Sequence, residues 1–117
     1  TYWLKIPKNY TIIYLKNWIK MIKGINKKEE NIIKNILKDY QKDFIFYYYG
    51  SRVKGTYEKT SDLDILIKGK NEMPLEILEE IKEKFDNSLL PFVVNFSDYN
   101  LMSEEFYSLI QKDLVQV

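Results

Sequence analysis

Two acids separated by a single residue, Asp62 and Asp64, follow a Gly50-Ser51 pair after ten intervening positions. In an extended strand, side chains two positions apart leave on the same side. Two carboxylates held in that way repel each other unless a cation neutralises them, and oxygen ligands select a hard one, Mg2+ or Mn2+. The chain contains no cysteine and no histidine. That excludes thiolate and imidazole zinc sites, and the Ser-His and Cys-His nucleophile systems with them. Proton transfer and metal binding are left to carboxylates, Lys and Tyr. Gly50 lacks a Cβ, so an anion can approach its main chain closely. Ser51 places a hydroxyl beside the free N–H groups of a turn.

Neither piece is decisive alone. A Gly-Ser pair is most often a polar turn at a strand end, and a lone Asp-x-Asp is most often a solvated strand edge. Here, however, Asp62 opens an otherwise apolar run of Leu63, Ile65, Leu66 and Ile67. Burying Asp64 unpaired in such a strand would be expensive, which favours a metal. Arg52, the only arginine beside seventeen lysines, falls inside the same stretch and is read as a phosphate contact or an exposed charge. Lys54 is read as surface.

The elements that must carry these residues are legible from periodicity. Asn26 with Glu29 three positions on forms a capping-box pattern, and Ile32, Ile33, Ile36, Leu37 and Tyr40 follow at helical spacing. Phe44 to Tyr49 is a β-branched and aromatic run that reads as a buried strand ending at Gly50. The tyrosines 47 to 49 resemble a stacking platform but sit where a core strand belongs. Ser51–Thr56 reads as a short helix or turn, Tyr57–Ser61 as a polar loop, and Leu63–Ile67 as the second strand. Pro74 opens a helix at its favoured first-turn position, with Leu75, Leu78, Ile81 and Phe85 on one face. Phe92–Phe96 is a third strand, and Ser103-Glu104-Glu105 starts a last helix carrying Phe106, Leu109 and Ile110. The order predicts an α/β (α+β) domain, a small mixed sheet with helices packed on it.

Length and composition set the frame. The 117 residues suit one domain, with 45% hydrophobic and 30% charged residues and a formal net charge of +1. Nothing global steers the chain toward nucleic acid or a membrane. No stretch approaches the ~20 apolar residues of a membrane span. The N-terminus lacks the pattern of a secretion signal, so a cytoplasmic location is the default expectation. Residues 1–24 fit no clean period. They are set apart as an N-terminal extension of open status, in which Thr11–Lys23 could form a short amphipathic helix and Met21 is an alternative start. The domain proper is expected over 25–117.

Taken together, Gly50-Ser51, ten residues, then Asp62-x-Asp64 resembles the signature of the DNA polymerase β-like nucleotidyltransferases. More narrowly, Tyr49-Gly50-Ser51-Arg52-Val53-Lys54-Gly55-Thr56 with Ser61-Asp62-Leu63-Asp64 is similar to the minimal nucleotidyltransferase (MNT) family. Those are short bacterial and archaeal proteins, often paired with a HEPN-domain protein as antitoxin and toxin. The resemblance covers about residues 25–117, including Leu90-Pro91, a strand, and Ser103-Glu104-Glu105-Phe106. It implies transfer of a nucleotidyl group, AMP in the first instance, from ATP or another NTP to an acceptor. The acceptor implied is a tyrosine on a HEPN-type partner. Gly50, Ser51 and Arg52 would hold the triphosphate, and Asp62 and Asp64 would bind the metal as catalytic carboxylates.

The resemblance also exposes a departure. Family members supply a third carboxylate from the next strand, and Asn95 stands at that position. An amide can ligate through its oxygen but carries no charge and accepts no proton at neutral pH. Asp98, three residues on, faces the other way in a regular strand. Two readings follow: an active transferase, or the same fold catalytically weakened and acting on a HEPN-type partner by binding alone. A nucleic-acid-binding domain is disfavoured, since no reader motif occurs.

Overall fold

The computed structural model describes residues 22–117. Among the described residues the first helix, α1 (Lys27–Leu37), begins at a reciprocal cap. Asn26 Oδ1 accepts the Glu29 N–H at 2.8 Å and Glu29 Oε1 accepts the Asn26 N–H at 2.9 Å. Such caps stabilise a helix by about 1 kcal/mol. Ile33 and Leu37 are fully buried on its inner face, while Glu30 and Lys34 pair at 2.9 Å one turn apart. A 3-10 turn at Lys38–Tyr40 leads into β1 (Phe44–Tyr49). Then come α2 (Ser51–Lys54), β2 (Leu63–Gly69), α3 (Leu75–Asp86), β3 (Val94–Asp98), α4 (Glu104–Ile110) and β4 (Val115–Gln116).

The four strands form one sheet in the order β3-β2-β1-β4. β1 runs antiparallel to β2 and β4, and β2 runs parallel to β3 because α3 crosses between them. The sheet is therefore mixed, as the element order predicts. Side-chain alternation divides its faces. Phe46 and Tyr48 of β1, Leu63, Ile65 and Ile67 of β2, and Val94 and Phe96 of β3 share the core with Ile33 and Leu37 of α1 and Ile81 and Phe85 of α3. Phe85 meets Phe96 edge-on at 5.3 Å. The opposite face carries Tyr47, Tyr49, Asp64, Leu66, Lys68, Asn95 and Ser97, with α4 over part of it.

Several boundaries differ from expectation. The third strand is displaced by two residues, to Val94–Asp98, because Phe92 and Val93 serve as the approach after Pro91. Pro74 is the cap of α3 with extended ψ, not its first helical residue, and Leu75 is exposed. The buried face is Ile77, Leu78, Ile81 and Phe85. Phe106 and Leu109 of α4 are exposed as well, since that seven-residue helix covers only a strip of the sheet. The expected helix over Thr11–Lys23 lies outside the described residues except for Ile22 and Lys23, which are not helical. Ile22 and Ile25 nonetheless pack into the core. Among the described residues, no helix is long and apolar enough to cross a membrane.

Burial fixes where substitutions will be felt. Ile33→Ala is expected to lower unfolding free energy by about 2–5 kcal/mol. Leu109→Ala, on an exposed position, should stay within about 0.5 kcal/mol of the parent; urea denaturation followed by circular dichroism compares the two.

Candidate active site

β2 delivers Asp64 as its second residue, in register with Tyr49 of β1 on one side and Asn95 of β3 on the other. Asp62 lies one residue before the strand and is exposed. The Asn95 amide Nδ2 donates to Asp62 Oδ2 at 2.9 Å and is 3.5 Å from Asp64 Oδ1. One amide nitrogen thus reaches both acids, so the two carboxylates open onto a common space. The amide orientation follows from charge, because the reverse would aim a carbonyl oxygen at two anions.

Burial pushes the Asp64 carboxyl above the usual carboxylate range. The Asn95 hydrogen bond pulls it back, and the neighbouring charge of Asp62 adds to the rise. Its surroundings are tight. Gly50 ends β1 with φ +88°, a conformation side chains rarely adopt, and a Cβ there would run into Asp64 Oδ2. Ser51 then starts α2, a single turn closed by Gly55 at φ +84°. Gly50, Ser51, Asp62, Asp64 and Asn95 therefore gather at one end of the sheet. Tyr49 joins them: its hydroxyl is 2.9 Å from Ser97 Oγ, and its ring meets Phe106 edge-on at 6.2 Å. Burial raises the Tyr49 hydroxyl above its usual range, the Ser97 bond opposes this, and Asp64 adds to it.

A divalent cation suits this donor set. Two carboxylates converge, one of them desolvated, and the orphaned repulsion between them is answered only by a neutral amide. Among the described residues, no third His, Cys, Asp or Glu completes a cluster with them. Asp98 does not fill that place. It faces the core side of β3, where its Oδ2 accepts the Met73 N–H at 2.7 Å and its Oδ1 the Asn100 N–H at 2.9 Å.

Arg52 corrects the sequence expectation. Its guanidinium is neither a free phosphate contact nor an exposed charge; the residue is 4% exposed. Nε donates to the Ser61 carbonyl at 2.9 Å, Nη2 to the Lys59 carbonyl at 3.0 Å, and Nη1 to the Gly24 carbonyl. The plane lies 4.1 Å over the Phe92 ring and 5.3 Å from that of Tyr57. A buried cation needs such partners, and here carbonyl dipoles and ring faces provide them. Lys54 is exposed, at 4.0 Å from Asp113.

Sequence reasoning missed two groups on this face. Ser97 follows Asn95 by one strand period, so alternation could have found it. Lys68, two periods after Asp64, donates to Tyr107 Oη at 3.2 Å and lies 4.6 Å over the Tyr99 ring. That contact depends on how α4 returns, which no local pattern encodes.

Comparison with known proteins identifies the family. The family model described as nucleotidyltransferase domain matches residues 30–116. A probable protein adenylyltransferase MntA of Haemophilus influenzae is 39% identical over 95 residues, which span 80% of this chain and 82% of that protein. Among solved structures, a crystal structure of the toxin-antitoxin with AMP-PNP superposes with a TM-score of 0.62. It is 24% identical, covering 74% of this chain and 70% of that one, and speaks for the fold.

Two substitutions probe the strain at this end of the sheet in the ligand-free protein. Gly50→Ala should cost about 1–3 kcal/mol of stability, since it meets both a forbidden φ and the Asp64 carboxylate. Asp64→Asn should leave stability equal or raise it by about 0.5–1 kcal/mol, because it removes a desolvated charge beside another. Thermal unfolding without added metal measures both.

Proposed function

The chain belongs to the nucleotidyltransferase domain family, and on that premise we propose that it transfers AMP from ATP to a hydroxyl on a protein partner. The observation that carries this is the convergence of Asp62, Asp64 and Asn95 beside Gly50 and Ser51. Asp62 and Asp64 would hold Mg2+ or Mn2+. When bound, the cation neutralises charge on the polyphosphate and favours departure of pyrophosphate. Gly50 lets the triphosphate approach the main chain, and the Ser51 hydroxyl donates to it. The acceptor oxygen forms its bond to the α-phosphorus as the bond to pyrophosphate breaks, and the hydroxyl proton is released to solvent.

A protein acceptor is supported by the relative called a probable protein adenylyltransferase, and a toxin-antitoxin setting by the neighbour solved with AMP-PNP. On this reading the partner is a HEPN-type protein and the pair works in the cytoplasm. Arg52 is left out of the phosphate site on this reading, since each of its three nitrogens donates to a main-chain carbonyl.

Asn95 favours a second reading of the same site. The family's third carboxylate is replaced by an amide that accepts no proton, and loss of a general base lowers rates by about 10²–10⁴-fold. A chain of this kind binds nucleotide and partner while turning over slowly.

Magnesium with ATP at a hundredfold excess over its dissociation constant should stabilise the protein by about 2.7 kcal/mol, seen as a raised Tm. Asp62→Asn combined with Asp64→Asn should remove the effect. A parent protein whose melting is indifferent to Mg2+ and ATP would sink the proposal. Labelled ATP incubated with the protein and its genomic neighbour should mark the neighbour, and Asn95→Asp should accelerate labelling by about 10²-fold or more. Labelling by the variant alone would identify the weakened form.

A further inference from the structure

Asp64 and Asp62 are held by different means. Asp64 is inside β2, locked between two strands. Asp62 stands outside the strand, at the end of the loop Tyr57–Ser61, and is exposed. Asn95 Nδ2 holds the Asp62 carboxylate from the β3 side at 2.9 Å, but among the described residues no strand pairing holds the main chain leading to Asp62. The loop closes on itself between Glu58 and Ser61: the Ser61 N–H donates to the Glu58 carbonyl at 3.0 Å and the Glu58 N–H to Ser61 Oγ at 2.9 Å. Those two bonds are internal to the loop, so its placement against the rest of the domain rests on contacts from outside it.

We propose that Arg52, clamped between that loop and the segment Ile22–Ile25, is the positioning residue that sets Asp62 for metal binding. Two of its donors hold the Lys59 and Ser61 carbonyls, the second immediately before Asp62. The third holds Gly24, whose N–H donates in return to the Arg52 carbonyl at 3.1 Å. The fit around Gly24 is close, since a Cβ there would lie 2.4 Å from Arg52 Cβ. Tyr57 ties the same parts together a second time, its hydroxyl donating to the Lys23 carbonyl at 3.0 Å while its ring flanks the guanidinium. Phe92, just ahead of β3, closes the other face. Loop, motif helix and N-terminal segment are thus pinned through one planar fork. A lysine cannot reproduce it, because an ammonium group is a point donor that neither stacks nor spans three carbonyls. Ile22–Ile25 lie before the family match, which begins at residue 30, and the clamp makes them part of the working site.

The inference rests on the metal-site assignment above, so its test has an arm that does not. Arg52→Lys should expose the loop: amide hydrogen exchange across residues 57–62 accelerates, and trypsin cuts after Lys59. In the same protein the Mg2+ concentration needed for ATP-dependent thermal stabilisation should rise by about ten- to a hundredfold, the usual effect of losing a group that orients a ligand. Ile81→Val, a core change that lowers Tm without touching the clamp, should alter neither. Tyr57→Leu serves if Arg52→Lys fails to fold, and should move both readouts the same way to a smaller extent. Loop protection unchanged from the parent, or a Mg2+ requirement matching that of Ile81→Val, overturns the clamp. Should the parent itself ignore Mg2+ and ATP, the metal site falls, and the inferred role of Arg52 in setting Asp62 for metal falls with it; exchange and proteolysis would then still report whether the clamp holds the loop.

Discussion

Like charges held close together at the end of a β-strand are unfavourable, and everything at this end of the sheet is organised around holding Asp62 and Asp64 there. Such an arrangement persists only where surrounding structure over-determines it. β2 provides that: Leu63, Ile65, Leu66 and Ile67 are all at most 1% exposed, and the strand is paired on both sides. Apolar burial along β2 supplies stabilisation against which a local penalty at its first residues is small. The most buried strand thus carries one of these uncomfortable side chains and adjoins the other.

The two faces of the sheet divide the labour. One is sealed by α1 and α3 and contributes stability. The other is only partly covered by a seven-residue helix, leaving Asp64, Asn95 and Ser97 in reach of solvent-borne ligands. A parallel β2–β3 pair matters here. It brings Asn95 level with Asp64, and the α3 crossover that a parallel pair requires is what seals the opposite face.

Much of this was legible before any coordinates. Asn26 and Glu29 announced α1, the aromatic run announced β1, and the two-residue period placed Asp62 and Asp64 on one side. Alternation likewise set Asp98 on the wrong face. What stayed hidden was tertiary. Val94–Asp98 shifted because pairing with β2, not the apolar run from Phe92, defines that strand. β4 is two residues long and exists only by docking on β1, so no pattern marks it. Arg52 was misread because its partners are main-chain carbonyls, and any residue can supply a carbonyl. A lone arginine in a chain that otherwise uses lysine was the available hint, since only a planar fork could satisfy three such acceptors at once.

The amide of Asn95 alters the electrical balance of the cup. Three carboxylates around one doubly charged cation leave a residual negative charge, which opposes an incoming polyphosphate; two leave none. On the proposed reading, a nucleotide arriving here would meet a neutral rim instead of a repelling one, and the incentive to recruit a second cation would be reduced accordingly. If the site holds metal and nucleotide as proposed, an amide in place of a third carboxylate would both take away a proton acceptor and favour retention of the phosphate-bearing molecule over its rapid release.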